Sequence, residues 1–358
     1  YALRRVVNTC TEVVGRVYDY DGEVPELLDT VERDVLAIGN IFDTRANDTI
    51  RAAVHRALTF IEQRWENPGV ATGITTGLAD FDRMTDGLKN GNMIVIAARP
   101  SMGKTSLAMQ MAEHVSCELR LPVGVFSLEM TMDELTTRQL CSMARVNLRT
   151  ISDGFMSEAD FPRLSSAAGR LQAAPLFIDD TGGLSITQLR ARARRMHQQH
   201  GIRMFVIDYL QLLHATSRKA QDNRVQEISE ISGGIKELAK ELNVPIIALS
   251  QLNRELEKTG RKPKVSDLRE SGAIEQDADL IGLLYKPDGE DEPETQAQGD
   301  GIAVNLLIGK QRNGPTGDVP LTFIKPYTRF ESRARIADED VPPQREQRQQ
   351  EFHTHNDA

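Results

Sequence analysis

The stretch MIVIAARPSMGKTSLAMQMAEHV (93–115) constrains the fold more than any other part of this chain. MIVIAA is an apolar run of strand type, and SLAMQMAEHV has helical spacing. A strand that turns through glycine into a helix N-terminus aims backbone N–H groups and the positive end of the helix dipole at one point. An anion is favoured there. Gly103 lets the backbone approach a phosphate closely. Lys104 supplies an ammonium for β/γ-phosphates, and Thr105 supplies a hydroxyl for Mg2+. The phosphate-loop pattern G-x-x-x-x-G-K-[ST] has glycine where this chain has Ala98. Ala98 is tolerable there if it stays extended, because only a positive φ would demand glycine.

Such a loop needs a sheet to sit in. From about Gly73 to Ile336 the chain alternates strand and helix patterns. Strand candidates are MIVIAA, VGVFSLE, LFIDD, MFVIDY, PIIALSQ, LIGLLYK, IAVNLLIGKQR and VPLTFIKP. Helical patterns separate the first five, which predicts an α/β domain whose mostly parallel sheet is covered on both faces. The last strands follow one another without helices, so the sheet is expected to finish in antiparallel pairs.

Ahead of this lie amphipathic helices. LRRVVNTCTEVVGRVYD and LLDTVERDVLAIGNIF repeat apolar residues at helical spacing, too few to make a domain alone. TIRAAVHRALTFIEQRWENPG carries one stripe, Ile50, Val54, Ala57, Leu58, Ile61 and Trp65, and Asn67-Pro68-Gly69 ends it. The expected division is helices over 1–46, a linker over 47–72, the α/β domain over 73–336 and a polar, disordered tail over 337–358. The first residue, Tyr1, suggests a piece of a longer protein. With 358 residues, 40% of them hydrophobic, there is enough for one large core. No apolar run reaches the ~18 residues of a membrane span. Three cysteines without a CxxC spacing suit a reducing compartment. The net charge of −9 argues against a passive nucleic-acid coat. Part of that excess sits in the acidic stretch 287–301 and the tail.

Four further places carry chemistry. MFVIDY runs four apolar residues into Asp208. A carboxylate there, beside a phosphate-loop strand, holds Mg2+ as a Walker-B residue does; an Asp capping a turn is the plainer reading. VFSLEM ends a strand in Glu129, placed to take a proton from an attacking water, although strand-end carboxylates are common. PIIALSQL ends in Ser250 and Gln251, an uncharged amide suited to sensing a γ-phosphate. In GKQRNGP, alternation along a strand puts Lys310 and Arg312 on one side with Gln311 between them. Two such cations suit a phosphate on a neighbouring subunit, and equally suit plain solvated charge.

Taken together, ARPSMGKTS, FSLEM, IDYLQLL, ALSQLNR, SDLRESGAIEQDADLI and GKQRNGPTG resemble the motif set of the bacterial replicative DNA helicase family DnaB, in that family's order. The likeness runs to about Ile336. RecA-like recombinases share the phosphate loop but not the last two of these motifs. The family has Ala or Gly at the first loop position, so Ala98 is no departure. Its N-terminal helical domain is larger than the part present here.

The resemblance implies a RecA-like domain using ATP and Mg2+. It implies that Ser101, Gly103, Lys104, Thr105 and Ser106 bind the phosphates, with Thr105 and Asp208 on the metal. Glu129 becomes the base, Gln251 the γ-phosphate sensor, and Arg138 a residue near the nucleotide. Lys310, Gln311 and Arg312 would reach the adjacent subunit's site, Arg312 as arginine finger. Arg269, Glu270 and Gly272 would follow the DNA strand, with Glu270 steadying Arg269. The implied partners are single-stranded DNA, five further copies in a homohexamer, a primase and a loader, with no membrane. The implied place is the replication fork in the cytoplasm. Two other readings remain open: a strand-exchange filament ATPase, and a catalytically idle docking ring. The linker helix ahead of the ATPase domain weighs against the first. Intact Lys104, Glu129 and Arg312 weigh against the second.

Overall fold

The computed structural model describes residues 2–18, 20–21, 27, 30–31, 34, 50–66, 69–216, 223–253, 261–268, 272–287 and 301–333. Most of the expected second helix, Arg269 and Glu270, the acidic stretch and the tail lie outside the described residues. So do residues 217–222.

At the centre is β1 (Met93–Ala98), buried along its whole length. Its alternate residues feed two separate cores, as the two-residue period of a strand requires. Ile94, Ile96 and Ala98 face one cluster with Leu107, Met111 and Phe323. Met93, Val95 and Ala97 face the other with Leu189, Ile231 and Ile235. Strands buried on both faces read as unbroken apolar runs, which is why MIVIAA shows no alternation.

Among the described residues the sheet has nine strands in the order β3-β2-β4-β5-β1-β6-β7-β8-β9. The strands are β2 (Val123–Ser127), β3 (Leu176–Asp179), β4 (Met204–Asp208), β5 (Ile246–Gln251), β6 (Leu280–Tyr285), β7 (Gly301–Gln311), β8 (Gly317–Ile324) and β9 (Arg329–Ser332). β1 to β6 are parallel, and β7 to β9 continue antiparallel. The eight expected strands are all present, and β9 is an addition.

Ahead of the α/β unit lie α1 (Ala2–Tyr18) and α2 (Ile50–Glu66). They are followed by the short α3 (Ala79–Thr85). Around the sheet run α4 (Lys104–Glu113), α5 (Met132–Ala144), α6 (Leu148–Ser152), α7 (Asp160–Gln172), α8 (Ile186–His200), α9 (Arg224–Leu242) and α10 (Gly272–Asp277). Two starts are written in the sequence as capping boxes. Thr131 pairs with Glu134 at α5, and Ser185 with Gln188 at α8. Three arginines of α8 make ion pairs within the chain. Arg190 and Arg194 bind Glu241 of α9, and Arg192 binds Asp179 of β3. No described helix is long and apolar enough to cross a membrane.

The linker stripe stays outside the chain's own core. Ile50 is 80% exposed and Trp65 87%, and Val54, Leu58 and Ile61 are exposed with them. At its far end Arg64 donates to Val70 O at 2.7 Å and to Asp86 Oδ1 at 3.1 Å.

Candidate nucleotide site and its split parts

β1 ends at Ala98, buried and extended as its position requires. The loop then turns through two left-handed residues, Ser101 (φ 66°) and Gly103 (φ 85°). A serine held in that region costs free energy, and such strain concentrates where backbone N–H groups are aimed at a ligand. Gly103 is demanded twice over. Its φ disfavours any side chain, and a Cβ there would lie 2.9 Å from Phe330 Cζ and 3.0 Å from Phe323 Cζ. Those two rings stack with centroids 4.5 Å apart. The Gln110 side chain fixes β9 against α4 by exchanging two hydrogen bonds with Phe330, at 2.7 and 2.8 Å. This aromatic wall behind the loop is a part of the site the sequence reading did not find.

Lys104 opens α4 and is almost wholly buried. Its ammonium donates to Asp208 Oδ1 at 2.9 Å and faces Glu129 Oε2 at 3.3 Å. It also lies over the Tyr209 ring at 4.6 Å. Thr105 Oγ1 donates to Asp208 Oδ2 at 2.6 Å. The strand register explains the convergence. Ser127 of β2 is level with Asp208 of β4, and Ala98 of β1 is level with Gln251 of β5. Asp208, Glu129, Gln251 and the loop therefore all emerge at the carboxyl ends of neighbouring strands, where open α/β sheets bind ligands. Gln211 donates to Ser250 Oγ at 2.8 Å, a strut between the ends of β4 and β5. Ser106 is half-buried in α4, and Arg138 is exposed on α5.

Lys310 and Arg312 are elsewhere. β7 runs antiparallel to β6, and Leu280 pairs with Gln311. Leu280 is also level with Ile94 at the start of β1. The cations thus stand at the amino ends of the parallel strands. β1 separates them from the phosphate loop by its six residues, about 20 Å. Lys310 Nζ donates to Ala278 O at 2.7 Å and also to Glu275 O, and Arg312 Nη2 donates to Gln276 O at 2.7 Å. These carbonyls end α10, a terminus where cations are favoured. Burial, and then the Arg312 charge beside it, pull the Lys310 ammonium below its usual range. Gln311, between them, turns the other way and donates to Met84 O at 3.3 Å. Gly272 opens α10. The helix is too short for a periodic signal, which is why the sequence reading missed it.

A Gly-Lys-Thr turn into a helix, faced by two carboxylates from the ends of neighbouring parallel strands, is the arrangement of a P-loop ATPase of the RecA-like class. The family model for the DnaB-like helicase C terminal domain matches residues 73–332. The replicative DNA helicase DnaC of Bacillus subtilis is 40% identical over 343 residues, covering 95% of this chain and 74% of that protein. The replicative DNA helicase DnaB of Haemophilus influenzae is 41% identical over 342 residues, covering 93% and 72%. A solved ATPase domain superposes with a TM-score of 0.72 at 38% identity, covering 80% of this chain and all of that one. A DnaB-like replicative helicase described with its interactions with primase superposes with a TM-score of 0.76 at 33% identity, covering 93% and 76%. The chain belongs to the DnaB-like family of replicative DNA helicases, which are ATP-dependent enzymes.

Proposed function

We propose that this chain acts as a hexameric ring, with ATP bound between subunits and single-stranded DNA in the central hole. The ring moves 5′→3′ on that strand and excludes its complement. The placement of Arg312 carries this reading. A side chain at the amino end of the sheet cannot reach the phosphate loop at the other end of the same molecule. A second copy can bring the two together. Residues 73–336 then form the motor, 47–72 the linker and 1–46 the last helices of an N-terminal helical domain.

At the carboxyl end, Ser101, Gly103, Lys104, Thr105 and Ser106 take the triphosphate. Phosphate oxygens draw Lys104 away from its two carboxylates. Glu129 is thereby released to accept a proton from the water that attacks the γ-phosphate, a step worth roughly 10²–10⁴ in rate. Gln251 reads whether that phosphate is present. Thr105 and Asp208 fit Mg2+, since two oxygens already 2.6 Å apart match an ion that takes one or two protein ligands and fills its shell with phosphate oxygens and water. When bound, the ion neutralises charge on the phosphates. Lys310 and Arg312 of the next subunit close the site, Arg312 countering charge on the transferring phosphoryl group.

Arg269, Glu270 and Gly272, just ahead of and at the start of α10, serve the DNA path. The likeness to a helicase described with its interactions with primase supports a primase as partner, beside a loader, at the cytoplasmic replication fork. A forked duplex with ATP tests the reading. Unwinding should require the 5′ single-stranded tail and tolerate removal of the 3′ tail. Strand exchange without unwinding, or dependence on the 3′ tail alone, would contradict it.

A further inference from the structure

Arg312 has a support that the motif reading did not single out. Asp279 sits between α10 and β6, and its side chain is only 8% exposed. One oxygen, Oδ2, accepts from the Met93 backbone N–H at 2.8 Å and from Lys236 Nζ at 2.5 Å. The other, Oδ1, faces Arg312 Nη1 at 3.5 Å. The backbone adds a tie, since Arg312 N donates to Asp279 O at 3.0 Å. The carboxylate is therefore locked from behind and presents one free face to a guanidinium that is itself 47% exposed.

We propose that Asp279 is the positioning residue of the Arg312 finger: it fixes where the guanidinium stands and so how it enters the neighbour's site. This rests on the reading of Arg312 as a cation acting in trans. A buried carboxylate with a spare oxygen orients an arginine without enclosing it, so the charge stays presentable to a phosphoryl group. Its anchors give the arrangement further meaning. Met93 is the first residue of the strand that ends in this chain's own phosphate loop. Lys236 belongs to α9. Gln276, which holds the other guanidinium nitrogen, belongs to α10, the helix that follows Arg269 and Glu270. The Asp279 side chain thus joins the strand of the chain's own phosphate loop and α9 to Arg312, which is itself tied to α10. A shift in any of them moves Arg312.

Asp279→Asn keeps the size and the hydrogen bond from Met93 but loses the charge. ATP hydrolysis should fall by roughly 10²-fold, the cost of misplacing a reacting group by about 1 Å, while ATP affinity and the hexamer are kept. Subunit mixing separates this from a general structural defect. The reference is a mixture of Lys104→Ala and Arg312→Ala rings, in which a competent loop meets a competent finger at some interfaces. Asp279→Asn should regain hydrolysis when mixed with Lys104→Ala and should not regain it with Arg312→Ala. Recovery with Arg312→Ala, or full activity of Asp279→Asn alone, would overturn the proposal. A reference pair that fails to recover would overturn the trans reading beneath it, and the proposal with it. If Asp279→Asn does not assemble, the same grouping is expected of Asp279→Glu, which keeps the charge for Lys236 but carries the carboxylate past Arg312.

Discussion

The two ends of the central sheet differ in how their charged groups are partnered. At the carboxyl end, Lys104 is buried between Asp208 and Glu129. At the amino end, Lys310 and Arg312 lean on backbone carbonyls, and Arg312 also faces the Asp279 carboxylate while staying half in solvent. The first arrangement is saturated and waits for phosphate to displace a partner. The second ties Lys310 to the carbonyls that end α10 and leaves the Arg312 guanidinium facing outward. A cation meant for a site in its own chain would be expected near that site. These cations are about as far from it as the length of β1 allows. On the proposed reading the sheet carries two half-sites facing opposite ways, and completing either one takes another copy.

The sharpest way to break this comparison is to disable each end in turn. Arg312→Ala should bind ATP almost normally and lose roughly 10³–10⁵ in hydrolysis, the contribution of an arginine finger. Lys104→Ala should fail at ATP binding itself. Equal loss of binding in both would mean that the ends do not differ in role. Glu129→Gln comes next, with an expected loss of roughly 10²–10⁴ in turnover at unchanged ATP affinity. Single-turnover measurements would show whether the chemical step is the one slowed.

A smaller effect concerns what brings opposite ends together. Leu58 and Ile61 are exposed on α2, and each aliphatic side chain buried on a neighbour contributes roughly 1.5–3 kcal/mol. Changing both to Asp should shift light scattering from the hexamer towards smaller species. An intact hexamer would show that the ring closes without this stripe.

The smallest effect is a pH response confined to the amino end. Burial raises the Asp86 carboxyl, but hydrogen bonds from Lys89 and Thr72 and the Lys89 charge outweigh it and hold it at about 2. Asp86 lines the same small cavity as Asp279 and Arg312. A carboxylate lowered from 3.8 to about 2 contributes stability that is fully present above pH 3.8 and is lost as the pH falls through 2. Hydrogen exchange near Thr72 and Lys89 should quicken across that window and do so less in Asp86→Asn. The phosphate-loop amides should not follow that change.

Much of the carboxyl end was legible in the sequence because its signals are local. MIVIAA, GKT and the strand-end residues Asp208, Glu129 and Gln251 each declare themselves within a few residues. The pairing of Lys310 with Arg312 was legible too, from alternation, although their hold on the end of α10 was not. What stayed hidden depends on contacts between distant segments. Phe323 and Phe330 read as ordinary apolar residues until the sheet brings them behind Gly103, from 220 and 227 positions further along the chain. Asp279 reads as one acid among several in EQDAD until register sets it against Met93. β9, four residues long, is too short to carry a pattern of its own.

The most direct test of two half-sites per chain is the mixture of inactive rings. Lys104→Ala and Arg312→Ala proteins are combined, a labelled chain confirms that subunits exchange, and ATP hydrolysis is followed. The mixture should recover a fraction of the activity that neither parent has, because some interfaces join an intact loop to an intact arginine. Unwinding should stay poor, since it needs several sites in succession. A mixture as inactive as its parents, with exchange confirmed, would mean that Arg312 serves its own subunit or only the fold.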